Sequence, residues 1–251
     1  MRLLLKLKAN GDYVYDPSIN HKIQGFIYDN LANSFFGDLH NKPGSKYFCF
    51  SNIFPIGNIK KDSEVNLIIS SPVSELIDVL KKRISSNSKI NIGEYSFELL
   101  SLKKMELNLG SRIDLITATP IVIRIPKHRY KEYKIRSKRP YEYWKKTMPM
   151  NIFIDRVETN FIKKYNSFFG INMEKIKLFE KYEFKKEVSV IVKQTTGGSV
   201  IVGSLWKFST VFIEKDKLPI FKFLIDTGLG EMNSEGFGFL NPIKSFNKII
   251  M

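Results

Sequence analysis

Cysteine is all but missing: Cys49 is the single one among 251 residues, which excludes an internal disulfide and fits a reducing cytoplasm. Histidine is nearly as scarce. His21, His40 and His128 stand too far apart for the ligand spacing of a zinc site, and no paired acidic motif of the two-metal nuclease type accompanies them. No metal and no cofactor is therefore expected. Long apolar runs are lacking too: no segment approaches the ~18 uninterrupted apolar residues of a membrane span. The opening stretch 1–8 has no apolar core of the length a secretory signal needs. The expected location is cytoplasmic, with no membrane partner. Neither a phosphate-binding G-x-x-x-x-G-K-[ST] loop nor a G-x-S-x-G nucleophile elbow occurs.

The last shortage is of acid. Twenty-five Asp and Glu stand against 40 Lys and Arg, a net charge of +15. That balance points to a polyanionic partner, although charge alone does not separate DNA, RNA, a membrane surface and a merely solvated exterior. What is present suffices to fold. Hydrophobic residues make up 43% and charged residues 26%, so disorder from low hydrophobicity is excluded. The length suits one large domain or two of the usual ~100 to 150 residues.

Alternation over 2–9, closed by Asn10, Gly11 and Asp12, predicts a first strand. Ile23, Phe26, Ile27, Leu31 and Phe35 recur at helical spacing behind Asn20, which predicts a helix over 20–36. Strand-like runs follow at 47–54 and 65–70. Pro72 then opens a helix carrying Leu76, Ile77, Leu80 and Ile84, and a β-rich stretch over 89–107 turns at Gly93 and Glu94. The order is β-α-β-β-α-β, the ferredoxin-like order that RNA-recognition modules also use. The second half reads the same way: a strand at 113–125, a helix at 142–168, strands at 182–193 and 200–213 around a turn at Gly197 and Gly198, a helix at 217–226, and a strand from Phe237. The expected fold is α+β, two tandem ferredoxin-like (RRM-like) domains, residues 1–110 and 111–251.

The run from Gly228 to Gly238 holds four glycines in eleven residues. It is not a dinucleotide fingerprint, because the third glycine of that motif would fall on Asn233 and the run leaves a helix to enter a strand, the reverse of the required order. Glycines without side chains let backbone N–H groups approach phosphate, although a tight turn with no ligand has the same composition. The pattern G-L-G-E-x-N-S-x-G-F-G resembles the C-terminal glycine-rich loop of the CRISPR-associated repeat-processing endoribonucleases, members of the repeat-associated mysterious protein superfamily. The resemblance extends to the start of the chain and to the doubled β-α-β-β-α-β plan, while residues 50–200 add little specific support. It implies a protein that binds CRISPR repeat RNA and cuts it, with Gly228, Gly230, Asn233, Ser234, Gly236 and Gly238 at the RNA. Other subunits of a CRISPR interference complex are a further class of partner it allows.

The same resemblance implies a tyrosine on the first helix and a histidine and lysine in the following loop as catalytic residues, here Tyr28, His40 and Lys46. Their chemistry suits RNA transesterification, which needs a group to take the 2′-OH proton, a cation beside the phosphorane and a proton donor for the leaving oxygen. Each also has a plain reading, as a boundary core residue, a solvated loop histidine and one lysine among many. His21 and Tyr47 compete for the acid and base roles. Between Arg124 and Lys146 stand ten Lys or Arg, interleaved with Tyr130, Tyr133, Tyr141, Tyr143 and Trp144. Charge for phosphate and rings for stacking predict an RNA contact, with Arg129, Lys131, Arg136, Lys138 and Arg139 as its cations. Two other readings remain, a non-catalytic subunit that only holds guide RNA and a basic structural protein such as a ribosome-associated factor. The glycine pattern argues against the second.

Overall fold

The computed structural model describes residues 1–194 and 197–243. Its first half runs β1 (Arg2–Ala9), α1 (Ile19–Leu31), β2 (Cys49–Phe50), β3 (Glu64–Ser70), α2 (Ser74–Ser85), β4 (Lys89–Ile92) and β5 (Tyr95–Met105). Along β1 every second residue, Leu3, Leu5, Leu7 and Ala9, is fully buried, as alternation requires when one sheet face is covered. The cover is α1 and α2, which turn Ile23, Ile27 and Leu31 and Leu76, Ile77, Leu80 and Ile84 into the same core. The sheet is antiparallel, in the order β2-β3-β1-β5-β4. With β4 and β5 counted as one hairpin, this is the ferredoxin-like order. Gly93, in the left-handed region at φ 59°, makes the hairpin turn where the sequence places it.

The second half runs β6 (Asp114–Thr117), β7 (Arg124–Pro126), β8 (Tyr141–Tyr143), α3 (Met150–Phe169), β9 (Lys181–Gln194), β10 (Gly197–Ser209), α4 (Leu218–Thr227) and β11 (Leu240–Pro242). Its sheet, β11-β6-β10-β9, repeats the ferredoxin-like order, and β7 with β8 forms a separate two-stranded ribbon inserted before α3. Aromatic rings fill this core: Phe153 stacks on Trp206 at 4.1 Å and Phe179 on Phe208 at 4.6 Å between centroids. The halves meet through buried polar contacts. Arg2 donates to Asn241 Oδ1 at 2.8 Å and to the Leu240 carbonyl, while Ser70 donates to Asp226 at 3.2 Å.

Several expected boundaries move. The first helix ends at Leu31 rather than 36, because the next apolar position, Phe35, lies beyond the core and is 89% exposed. The strand expected over 47–54 shortens to Cys49–Phe50, with one isolated bridge further on between Phe54 and Asn66, since Tyr47 turns through φ 54° before it. The strand expected over 113–125 divides into β6 and β7 around Pro120, which has no N–H for a ladder. The helix expected from 142 starts at Met150, because Pro149 disfavours helical geometry in the residue before it, and 141–143 pairs with β7 instead. Gly197 and Gly198 belong to β10, opposite Gln194 and Lys193, and the link at 195–196 lies outside the described residues.

Candidate RNA-cleavage site

Tyr28 sits on the third turn of α1, half-buried, where the helix passes from core face to surface. The chain after α1 closes with a short 3-10 turn over Gly37–His40 that carries His40, exposed, back to it. The Tyr28 and His40 rings meet edge to face, centroids 4.7 Å apart, and Phe48 supports Tyr28 from behind at 5.7 Å. Lys46 fastens this loop by donating to the His40 carbonyl at 3.1 Å and to the Lys42 carbonyl. All three residues that the resemblance implies are thus neighbours. Burial pushes the Tyr28 phenol up from its usual range, against a pull from Ser234 and with a push from Glu235, so it stays protonated at neutral pH. Partial burial moves Lys46 down.

Ser234 and Glu235 belong to the glycine-rich loop, which lies between α1 and α3 as it runs from α4 to β11. Gln24 of α1 donates to the Ser234 carbonyl at 3.0 Å and Asn20 to that of Gly236 at 3.4 Å. The four glycines 228, 230, 236 and 238 all have positive φ and are buried. Two show why no side chain fits: a Cβ on Gly230 would lie 2.6 Å from the Val122 carbonyl, and one on Gly236 would lie 2.7 Å from the Phe50 ring. Asn233 is used within the loop, its amide donating to the carbonyls of Leu229 and Phe237, each at 3.0 Å. The half-exposed part is 231–235. The glycines shape the loop, and its middle faces outward.

A cleft of about 560 Å³ opens beside this loop, lined by Lys46, Tyr47, Ser234, Arg124, Arg156 and Lys163. A second hollow of about 250 Å³ continues it past Arg124, Arg156 and Glu231 to Tyr141 on the ribbon. Glu231 binds the Arg124 Nε at 2.5 Å and its backbone N–H at 3.1 Å. The contribution of α3 was not legible in the sequence: Arg156, Asn160, Lys163 and Lys164 line the cleft at helical spacing. In one sequence such a stripe on an amphipathic helix reads as its solvated face.

The basic segment 124–146 divides. Tyr130 and Trp144 are buried in the second core, so two of the five rings read as stacking groups serve packing instead. Arg129 is tied to Tyr133 at 2.6 Å and to Asp155 at 3.2 Å. Lys131, Arg136, Lys138 and Arg139 are exposed and line neither hollow, whereas Arg124 lines both and Tyr141 the second. Of the competitors for proton transfer, His21 is exposed on the first turn of α1. Tyr47 lines the cleft and donates to Ser167 Oγ at 3.1 Å. Among the described residues no group of three or more His, Cys, Asp or Glu could hold a metal ion, and no helix is long and apolar enough to cross a membrane.

Residues 103–242 match the family model described as CRISPR associated protein Cas6, C-terminal. The chain is 35% identical over 254 residues to the CRISPR-associated endoribonuclease Cas6 2 of Methanocaldococcus jannaschii, covering 97% of this chain and 100% of that one. It is 30% identical to the CRISPR-associated endoribonuclease Cas6 of Haloferax mediterranei, covering 97% and 94%. Among solved structures, a Cas6-related protein from Pyrococcus furiosus superposes with a TM-score of 0.72 at 21% identity, over 98% of this chain and 99% of that one.

Proposed function

The chain belongs to the Cas6 family of CRISPR-associated proteins, and from that premise we propose that it binds CRISPR repeat RNA and cuts the precursor transcript into guide RNAs. Cutting needs no metal: the RNA's own 2′-OH attacks the adjacent phosphate, leaving a 2′,3′-cyclic phosphate and a 5′-hydroxyl. The observation that carries this reading is the meeting of Tyr28, His40 and Lys46 beside the outward face of the glycine-rich loop, at the rim of a cationic cleft. An imidazole exchanges protons near neutrality, which suits His40 to one of the two proton transfers. Tyr28, kept as a phenol by burial, orients the ring it touches and can donate but not accept a proton. The Lys46 ammonium spends two hydrogens on carbonyls and keeps a third for the phosphorane oxygen.

On this reading residues 1–110 form the domain with the reacting groups, and 111–251 the domain with the glycine-rich loop. The substrate strand enters between them along Arg156, Lys163 and Arg124. Ser234 reaches the RNA directly, and Gly228, Gly230, Asn233, Gly236 and Gly238 act by holding the loop in shape. The reaction takes place in the cytoplasm, where Cys49 stays reduced, and other CRISPR subunits are further partners. The test is incubation with end-labelled repeat RNA from the same genome in EDTA. Full cutting with a cyclic phosphate end is expected, and a 2′-deoxy nucleotide at the scissile position should abolish it while binding persists. Cutting that stops in EDTA and returns with a divalent cation overturns the metal-free chemistry. Binding of unmodified repeat RNA without any cut returns the protein to the role of a guide-holding subunit.

A further inference from the structure

Lys164 lies on the face of α3 that turns toward the protein interior, and it is 7% exposed. A buried ammonium is costly, and a core position of this kind ordinarily holds Leu or Met. Here it donates to the Gly228 carbonyl at 2.9 Å and to Asn233 Oδ1 at 2.6 Å. The second bond fixes which way the Asn233 amide faces, so its N–H₂ must turn to the Leu229 and Phe237 carbonyls. One ammonium thus organises both ends of the glycine-rich loop. From the opposite side Gln24 and Asn20 grip the same loop, on the helix that carries Tyr28.

We propose that Lys164 is a positioning residue for RNA cleavage: through Gly228 and Asn233 it clamps the glycine-rich loop so that Ser234 and Glu235 are held against Tyr28. The inference rests on the cleavage function proposed above. It differs from a purely structural role in its readouts: removing the charge relieves its desolvation but leaves the Gly228 carbonyl and Asn233 Oδ1 without their donor, so stability alone does not separate the two roles, whereas the pH profile and the coupling to Asn233 do. Burial lowers the Lys164 pKa from 10.5 to about 8. The groups facing it are Cys49 on β2, pushed up to about 12 and hence neutral, and Glu231, which is paired with Arg124; Lys46, Arg156 and Lys163 line the same cleft. The folded state therefore releases the Lys164 proton before the unfolded state does, so the penalty of burying this charge is present below pH 8 and fades as pH rises from about 8 toward 10.5. Stability and clamping strength should move oppositely across that window. The neutral amine keeps two hydrogens but loses the charge that strengthens both bonds.

The experiment compares the parent with Lys164→Met, Asn233→Ala and the double variant. Single-turnover cutting should slow by about 10- to 100-fold in each single variant, the range expected for misplaced reacting groups. The double variant should be no slower than the slower single, since both remove one clamp. The thermal midpoint of Lys164→Met should fall no further than that of Asn233→Ala, since the relieved desolvation offsets part of the two lost bonds; cutting by the parent should decline above pH 8, and that decline should be absent from the Lys164→Met profile. Hydrogen exchange at 229–237 in the RNA-free proteins should quicken in both single variants. That readout is independent of cutting, so a parent that cuts no RNA sinks the function while leaving the clamp tested. Parental cutting by Lys164→Met with unchanged exchange, or rate losses that multiply in the double variant, would overturn the proposal. Should Lys164→Met fail to fold, Lys164→Arg carries the test: restored bonds to the loop predict cutting nearer the parent than Asn233→Ala, and cutting as slow as Asn233→Ala counts against it.

Discussion

At the scale of single residues, the proposed chemistry depends most on His40. His40 is exposed and touches Tyr28 edge-on, while the backbone carbonyl of His40 itself receives Lys46. A side chain with so few contacts contributes little to stability, which makes its removal informative. His40→Ala should leave the melting temperature within about a degree or two of the parent, as surface substitutions do. It should slow cutting by about 10² to 10⁴, the usual worth of a positioned acid or base. His21→Ala should change the rate far less, because His21 stands two turns back along α1. Rapid cutting by His40→Ala would move the proton transfer to Tyr47 or His21. The three residues proposed to react are legible in the sequence only through resemblance. Their own spacing, 28, 40 and 46, carries no periodic signal, and it takes the 3-10 turn at Gly37–His40 to bring them together. Lys164 could not be read at all, since a lysine beside Phe161 and Ile162 in an amphipathic helix looks like a surface position slightly out of phase.

Among the elements, the glycine-rich loop is the clearest feature of the sequence, and in the fold its four glycines pack inside the protein. They are buried and left-handed because the loop packs tightly on β2, α1 and the segment leading into β7. Gly230→Ala should therefore act first on the fold. The φ of 73° and the Val122 carbonyl 2.6 Å from the new Cβ impose strain of about 1 to 3 kcal/mol on the native state. Urea unfolding should show that loss with an unchanged slope, and RNA affinity should fall only as the loop shifts. Gly236→Asp should likewise destabilise as well as weaken binding, because its side chain meets Phe50 and Asn20 before it meets any ligand. A Gly230→Ala variant of parental stability would show that the loop relaxes freely and holds no fixed shape. Elsewhere, elements with a strict period were read correctly: β1 by alternation and α2 by its Leu76, Ile77, Leu80 and Ile84 stripe. Errors collected where a proline or a positive φ interrupts a run of suitable residues, at Tyr47, Pro120 and Pro149, because local composition stays strand-like or helical across a break that one backbone angle imposes.

For the whole molecule, what matters is where the net charge of +15 is concentrated relative to the cleft. Composition supplies only the total, and by density alone the run of cations at 124–146 marks the binding surface. The fold redistributes that expectation. Arg129 is neutralised by Asp155, and Lys138 and Arg139 project from the inserted ribbon outside the cleft lining. Arg156 and Lys163, from the helix that follows the ribbon, line the same cleft as Lys46 and the outward face of the loop. Each phosphate contact releases counterions from the RNA, so the logarithm of affinity falls linearly with the logarithm of salt, by about 0.7 per contact for single strands. Binding of uncleavable 2′-deoxy repeat RNA should therefore weaken by orders of magnitude between tens and hundreds of millimolar salt. Lys163→Ala should reduce that slope by about one contact and weaken binding at every salt concentration, since its side chain is exposed on the cleft wall. Lys138→Ala should leave the slope near that of the parent. A slope that drops for Lys138→Ala and not for Lys163→Ala would put the strand on the ribbon rather than between the two sheets, and with it the direction from which RNA reaches His40.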